Sequence, residues 1–341
     1  MQLATDLNAA ASPHRASLKR TARMALAALA ALAAACLFGA AVVHAQDYPT
    51  KPIRYVVPNT PGVIVDIVAR VMAAEMTKTL GQPMVVENKP GGNYVVGFEY
   101  VAKQAPADGY TVVSVLVPSM AILPVTARGL SFDPLKDLPP VIGIAEGKYV
   151  FGVGAAQPWK TLAELAAAAK AAPGKFNFGE SSPPVYLLAE LLLSGVGASV
   201  THIPYSSGGG YLGALIAGEV QMGFVGEGSA IGFGEKFRVL GVTGTNRSPA
   251  YPNVPTFREL GHPSIPGLSL SLNVRAGTPK AATDRLAAAA QKALQTPEVK
   301  AQFAKLQLEV TGQSADVAAK ALADEAKMYS DVAARIGFKP Q

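Results

Sequence analysis

From residue 53 onward the chain alternates short apolar runs with longer stretches in which apolar residues return every three or four positions. Ile53–Val57 is a run of β-branched and aromatic residues and predicts a strand. Pro58 to Gly62 break it, and Asp66 to Leu80 then place Ile67, Val68, Val71, Met72 and Met76 at helical spacing. Gly81-Gln82-Pro83 end that helix, and Met84 to Glu87 predict the next strand. The same order continues. Strands are expected at Thr111–Val117, Phe176–Phe178, Val200–Ile203, Val220–Val225 and Arg238–Thr243, and helices at Thr161–Ala171, Val185–Leu193 and Tyr211–Ala217. Strands alternating with helices predict an α/β fold with a mainly parallel sheet flanked by helices.

The C-terminal part changes character. Pro279–Leu294 and Ala315–Ile336 are Ala-rich and amphipathic, and Pro297 opens a third helix between them. A run of helices after alternating units suggests a segment that returns to brace the first lobe. About 300 residues exceed what one ordinary core takes, so two lobes are expected. The first lobe boundary falls near Glu146–Gly154 and the return crossing between Leu240 and Leu270. This assigns 46–147 with 243–341 to lobe 1 and 148–242 to lobe 2.

The N-terminus adds an address. Arg15, Lys19, Arg20 and Arg23 precede an Ala-rich apolar run from Met24 to Val43, and Val43-His44-Ala45 supplies small residues at −3 and −1. That pattern predicts a signal peptide over 1–45, cleaved after Ala45, and a periplasmic protein. An uncleaved anchor and acylation at Cys36 are the competing readings, the latter preceded by a poor lipobox, Ala33-Ala34-Ala35. Cys36 is the single cysteine, so the mature chain has neither thiol nor disulfide, as suits an oxidising compartment. The leader holds four of the 30 basic and one of the 24 acidic residues, leaving 26 against 23, a balance of +3. Such a charge, without a Lys/Arg run, points to no nucleic-acid partner.

The mature chain carries only two histidines, His202 and His262, neither at metal-ligand spacing, and no cofactor motif. His202, in a strand-like run, is expected to be a satisfied structural residue. Nucleophile-elbow, phosphate-loop and zincin patterns are absent, which argues against an enzyme. What recurs is a loop type at the ends of predicted strands: Pro58–Gly62, Pro90–Tyr94, Val117–Ser119, Gly179–Pro183 and Ser206–Gly210. Each joins Gly or Pro turns to hydroxyl or amide side chains. Helix amino ends that follow such loops offer unpaired N–H groups to a carboxylate.

The stretches YPTKPIRYVVP, LGQPMVVENKPGG, APADGYT, DPLKDL, HIPYSSGG and LGVTGTNRSPAYPNVPTFRELG, with RAGTPKAATDRLAAAAQKALQTPEV, span the mature chain in order. On these the chain resembles the Bug/TctC family of extracytoplasmic solute-binding proteins. The resemblance implies a two-lobed, type II Venus-flytrap binder, monomeric and without cofactor or metal. Its ligand would be a small carboxylate. Its partners would be the membrane permease subunits of a tripartite tricarboxylate-type transporter or, alternatively, a sensor kinase.

Carried over by position, the site would use Asn59, Thr60, Pro61, Gly62, Val63 and Asp66, then Gly92, Asn93, Tyr94 and Val95, with Ser119. Lobe 2 would add Glu180, Ser181 and Ser182, then Tyr205, Ser206, Ser207 and Gly208, and Glu227. The chain departs from the family pattern here. Val63-Ile64-Val65 replace a Gly and a hydroxyl, Asn93-Tyr94-Val95 stand in the second loop, and the fourth loop is about two residues shorter. Val225-Gly226-Glu227 replace an Asp-Asn pair. Donors are lost and apolar groups gained, which favours an aromatic or semi-apolar carboxylate over a small polyacid. Tyr94, Tyr186 and Tyr211 are candidate stacking rings. Glu180 and Glu227 either meet an amine or lie outside the cleft.

Overall fold

The computed structural model describes residues 48–262 and 265–338. The leader assigned to 1–45, with Cys36 and the cleavage site, lies outside the described residues. No described helix is long and apolar enough to cross a membrane.

Among the described residues, eleven strands form two sheets. The first joins β1 (Ile53–Val57), β2 (Met84–Asn88), β3 (Thr111–Leu116), β4 (Pro140–Gly147), β10 (Leu268–Val274) and β11 (Leu308–Val310) in the order β11-β4-β10-β3-β1-β2. The second joins β5 (Tyr149–Gly154), β6 (Asn177–Glu180), β7 (Thr201–Pro204), β8 (Met222–Gly226) and β9 (Phe237–Val242) in the order β7-β6-β8-β5-β9. Helices α1 (Ile64–Leu80), α2 (Val95–Glu99), α3 (Val117–Ala121) and α4 (Leu123–Thr126) serve the first sheet. The second sheet has α5 (Leu162–Ala171), α6 (Pro183–Gly195), α7 (Gly208–Ala217) and α8 (Glu227–Phe233). Helices α9 (Lys280–Gln295), α10 (Pro297–Lys305) and α11 (Ala315–Ile336) follow.

Each lobe has a parallel centre and a reversed flank. Strand β1 pairs in parallel with β2 and β3, and β6 with β7 and β8. Strand β10 runs antiparallel to β3 and β4, as β5 does to β8 and β9. The sheets are therefore mixed. The cause is connectivity: β5 and β10 each arrive from the other lobe and enter their new sheet from the opposite end.

That topology fixes where the loops lie. The carboxyl ends of β1, β2 and β3 share one edge with the carboxyl end of β4, and Gly147 pairs with Leu268 beside them. Those of β6, β7 and β8 share an edge with the start of β5, where Tyr149 pairs with Gly226. The two crossings, through Lys148 and through 243–267, thus leave from the loop-bearing edge of each sheet. Thr243 ties them together: its Oγ1 accepts from the Tyr149 N–H at 2.9 Å and donates to the Tyr149 carbonyl at 3.1 Å. A Cβ on Gly267 would meet the Gly147 carbonyl oxygen at 2.3 Å, so only glycine lets the crossings approach this closely.

The core is continuous between the lobes. One buried cluster takes Val56, Phe98, Val113 and Met120 from the first, Phe151, Phe178 and Leu188 from the second, and Leu322, Ala326 and Tyr329 from α11. Helix α11 packs on β4 and α3 and also on α6, whereas α9 lies on α1 and β4. The last helix therefore braces both lobes, not the first alone.

Candidate functional site

Among the lobe-1 residues expected at the site, Asp66 lies in the first turn of α1 and is 2% exposed. The Gly62 N–H donates to its Oδ2 at 2.9 Å, Arg70 Nε donates to the same oxygen at 3.0 Å, and Asn88 Nδ2 donates to Oδ1 at 2.9 Å. Asn88 also donates to the Asn59 carbonyl at 3.0 Å and accepts from Arg70 at 2.9 Å. Burial alone would raise this carboxyl; the bonds from Arg70, Gly62 and Asn88 outweigh it and hold it below the usual range. Asp66 thus has its oxygens engaged, and its work is to hold the 59–63 loop in shape. Asn59 is half-buried, and Thr60, Pro61, Gly62 and Val63 stand exposed.

The second loop is set by backbone conformation. Gly91, Gly92, Asn93 and Tyr94 all have positive φ, at 132°, 56°, 48° and 76°. For Asn93 and Tyr94 this costs on the order of 1 kcal/mol each. Gly97, one turn into α2, explains how this loop meets the first: a Cβ there would fall 2.6 Å from Pro58 Cβ and 2.9 Å from the Lys89 carbonyl oxygen. Gly92 and Asn93 are exposed, while Tyr94 and Val95 are half-buried against the core. Ser119, in α3, is 2% exposed, and its Oγ has no hydrogen-bond partner.

In lobe 2, Glu180 ends β6 at 6% exposure. Its Oε1 lies 3.0 Å from His202 Nε2, and its Oε2 accepts from the Ser182 N–H. His202, on the edge strand β7, stacks on Tyr186 at 4.3 Å and Phe178 at 5.2 Å. Glu180 and His202 therefore satisfy one another inside the lobe. Ser181 is exposed and faces the next loop, since a Cβ on Gly208 would sit 3.8 Å from its Oγ. Ser182 caps α6 by position without a side-chain bond. Ser207 Oγ accepts from the Gly210 N–H at 3.2 Å and so caps α7. Ser206 and Gly208 are exposed and Tyr205 is half-buried.

Two of the three candidate rings are already occupied. Tyr186 is in the His202 stack, and Tyr211 is 3% exposed with its hydroxyl donating to the Phe224 carbonyl at 2.9 Å. Glu227 opens α8 at 6% exposure and its Oε1 has no partner. It lines a recess of about 490 Å³ beside the crossings, with Lys148, Gly244, Gln307 and α11.

Glu325 of α11 lines the same recess and was not among the residues expected from sequence. Burial raises its carboxyl from about 4.5 to about 8, offset in part by the neighbouring Tyr329 hydroxyl. A signal was available: it stands between Leu322 and Tyr329 at helical spacing, an acid on the apolar stripe. Among the described residues no three His, Cys, Asp or Glu side chains are grouped to hold a metal ion.

Two lobes joined by paired crossings, with loops and helix amino ends at the joined edges, define a two-lobed solute-binding protein. Residues 68–338 match the family described as the tripartite tricarboxylate transporter family receptor, TctC, and the chain belongs to that family. It is 36% identical to the protein BugT of Bordetella pertussis over 66% of this chain and 71% of that one. Among solved structures it resembles MatC from Rhodopseudomonas palustris with bound malate, at TM-score 0.70 and 28% identity, covering 84% of this chain and 99% of that one. A second R. palustris protein, solved with adipate, gives TM-score 0.73 and 27% identity, covering 86% and 100%.

Proposed function

We propose that the protein is periplasmic and captures one small carboxylate between the two loop edges, performing no chemistry on it. It then presents the ligand, as a monomer, to the membrane permease subunits of a tripartite tricarboxylate-type transporter. The observation that carries this reading is that each sheet bears a row of Gly/Ser loops, leading into helix amino ends, at the edge from which the crossings leave. Ser119 Oγ, buried and unpartnered, is a ready donor for a ligand oxygen. The malate and adipate complexes of the two relatives favour a carboxylate. The reading includes export through a leader cleaved after Ala45, and lobes divided as 46–147 with 243–341 and 148–242.

The ligand's body is read from what the loops expose. Val63 is 36% exposed and Val96 49%, beside the two lobe-1 loops. Of the three candidate rings Tyr94 is the one left for stacking, while Tyr205 already packs on Tyr211 at 6.0 Å. The five loops, 58–62, 90–94, 117–119, 179–183 and 206–210, carry no Lys or Arg to pair a second or third carboxylate. A ligand with one carboxylate and an apolar or aromatic body satisfies this site better than citrate.

The test is a thermal-shift and native mass-spectrometry panel of aromatic monocarboxylates, adipate, malate and citrate. Saturable one-to-one binding of an aromatic or semi-apolar acid is expected. At a hundredfold excess over Kd it should add about 2.7 kcal/mol to stability. Tight malate or citrate binding with no response to aromatic acids overturns the apolar preference. Silence across every carboxylate overturns the whole reading.

A further inference from the structure

The recess beside the crossings is acidic where the loop edges are not. Its wall includes Glu146, Glu227, Glu309, Asp324 and Glu325 against a single lysine, Lys148. Two of these acids have outside partners, Glu146 taking Gln313 Nε2 at 2.7 Å and Asp324 pairing with Lys320. Glu227 and Glu325 differ. They are 6% and 7% exposed; Glu227 Oε1 is buried without a hydrogen-bond partner, and Glu325 is met only by the Tyr329 hydroxyl beside it. A buried carboxylate oxygen without a donor is costly, and native structures seldom leave one without a reason. An unpartnered Glu227 and a barely partnered Glu325 lining one cavity of about 490 Å³ call for a ligand that brings N–H donors.

We propose that this recess is a second binding site, separate from the carboxylate-binding loops, for a small organic cation with primary amine groups. The spread of the acids selects that chemistry. A metal ion needs several ligands within one coordination sphere, and no three acidic or histidine groups meet that condition among the described residues. Carboxylates spaced round a cavity suit a cation whose donors are also spaced, as in an α,ω-diamine. Such a ligand is held from both lobes, by Glu227 at the start of α8 and by Glu325 on α11. Its binding therefore favours the lobe arrangement that keeps these two acids together. Glu325 holds a proton near neutrality in the empty recess, so an arriving ammonium displaces it.

The test is isothermal calorimetry of the full protein with 1,4-diaminobutane, in two buffers of different ionisation heat, with calcium chloride at matched ionic strength as contrast. Expected are saturable binding, a buffer-dependent heat from proton release, and a tenfold or greater loss of affinity in Glu227→Gln and in Glu325→Gln. Both variants should keep a cooperative melt, so the loss cannot be ascribed to unfolding. Absence of saturable binding overturns the proposal. So does affinity unchanged in both variants, or calcium binding as tightly as the diamine. The titration contains no carboxylate ligand, so its outcome is independent of what the loops bind.

Discussion

At the scale of single residues, the buried polar side chains divide into those with partners and those without. Asp66 and Glu180 each collect donors from their own lobe and shape a loop without offering a free oxygen to it. Replacing Asp66 with Ala leaves the Gly62 N–H and Asn88 amide without their acceptor. We expect a loss of about 1–3 kcal/mol in denaturant unfolding, with weaker carboxylate binding, because the 59–63 loop loses its anchor. Glu325 makes the opposite prediction. Its carboxyl is raised to about 8, so the folded state binds a proton that the unfolded state releases between about 4.5 and 8. Stability from this group is fully present below about pH 4.5 and declines as pH rises through 8. Glu325→Gln should therefore flatten the decline and melt above the parent protein at pH 8, as a pH series of thermal melts would show. The histidine at 202 illustrates what sequence could reach. Its structural role was legible from its strand setting, but its partner Glu180 lies on a neighbouring strand, 22 residues away. Only register joins them.

At the scale of elements, the loops after β1, β2, β6 and β7 were legible because Gly, Pro and Ser punctuate runs of unambiguous strand character. The crossing strands were not. Strand β4 begins at Pro140 and carries Gly143 and Gly147, while β5 carries Gly152 and Gly154, a composition that reads as turn. Three of these glycines answer to packing: a Cβ on Gly152 would meet the Arg238 carbonyl oxygen at 2.3 Å, one on Gly154 the Leu215 carbonyl oxygen at 2.8 Å, and one on Gly147 would meet Leu308 at 2.9 Å. Val117, expected to end β3, instead opens α3, with Pro118 at the helix start where its missing N–H costs nothing. Gly97 gives the test at this scale. Gly97→Ala must push Pro58 away, parting the first two loops. A stability loss of about 1–3 kcal/mol is expected. A fall in carboxylate affinity should accompany it in calorimetry, and diamine binding at the recess should be unaffected.

For the whole molecule, the decisive element is α11. Because it packs on β4, α3 and α6, the lobes share one apolar cluster and should unfold together. Leu322→Ala, at 3% exposure in that cluster, is expected to cost about 2–5 kcal/mol. The expected outcome is one cooperative calorimetric transition at a lower temperature. Separate transitions for the two lobes would show that the bracing is weaker than the packing implies.

What the sequence by itself determined is local: where strands stop, which loops carry hydroxyls and glycines, and which family order the segments follow. Turn chemistry and side-chain periodicity act over a few residues, so they can be read without the fold. The tertiary structure alone decided the rest. It set β5 and β10 antiparallel in sheets fed from the other lobe, spent Asp66 and Glu180 on their own loops, and placed Glu227 with Glu325 across a shared recess. Those outcomes depend on burial and on contacts between distant segments, and neither is encoded at any single position.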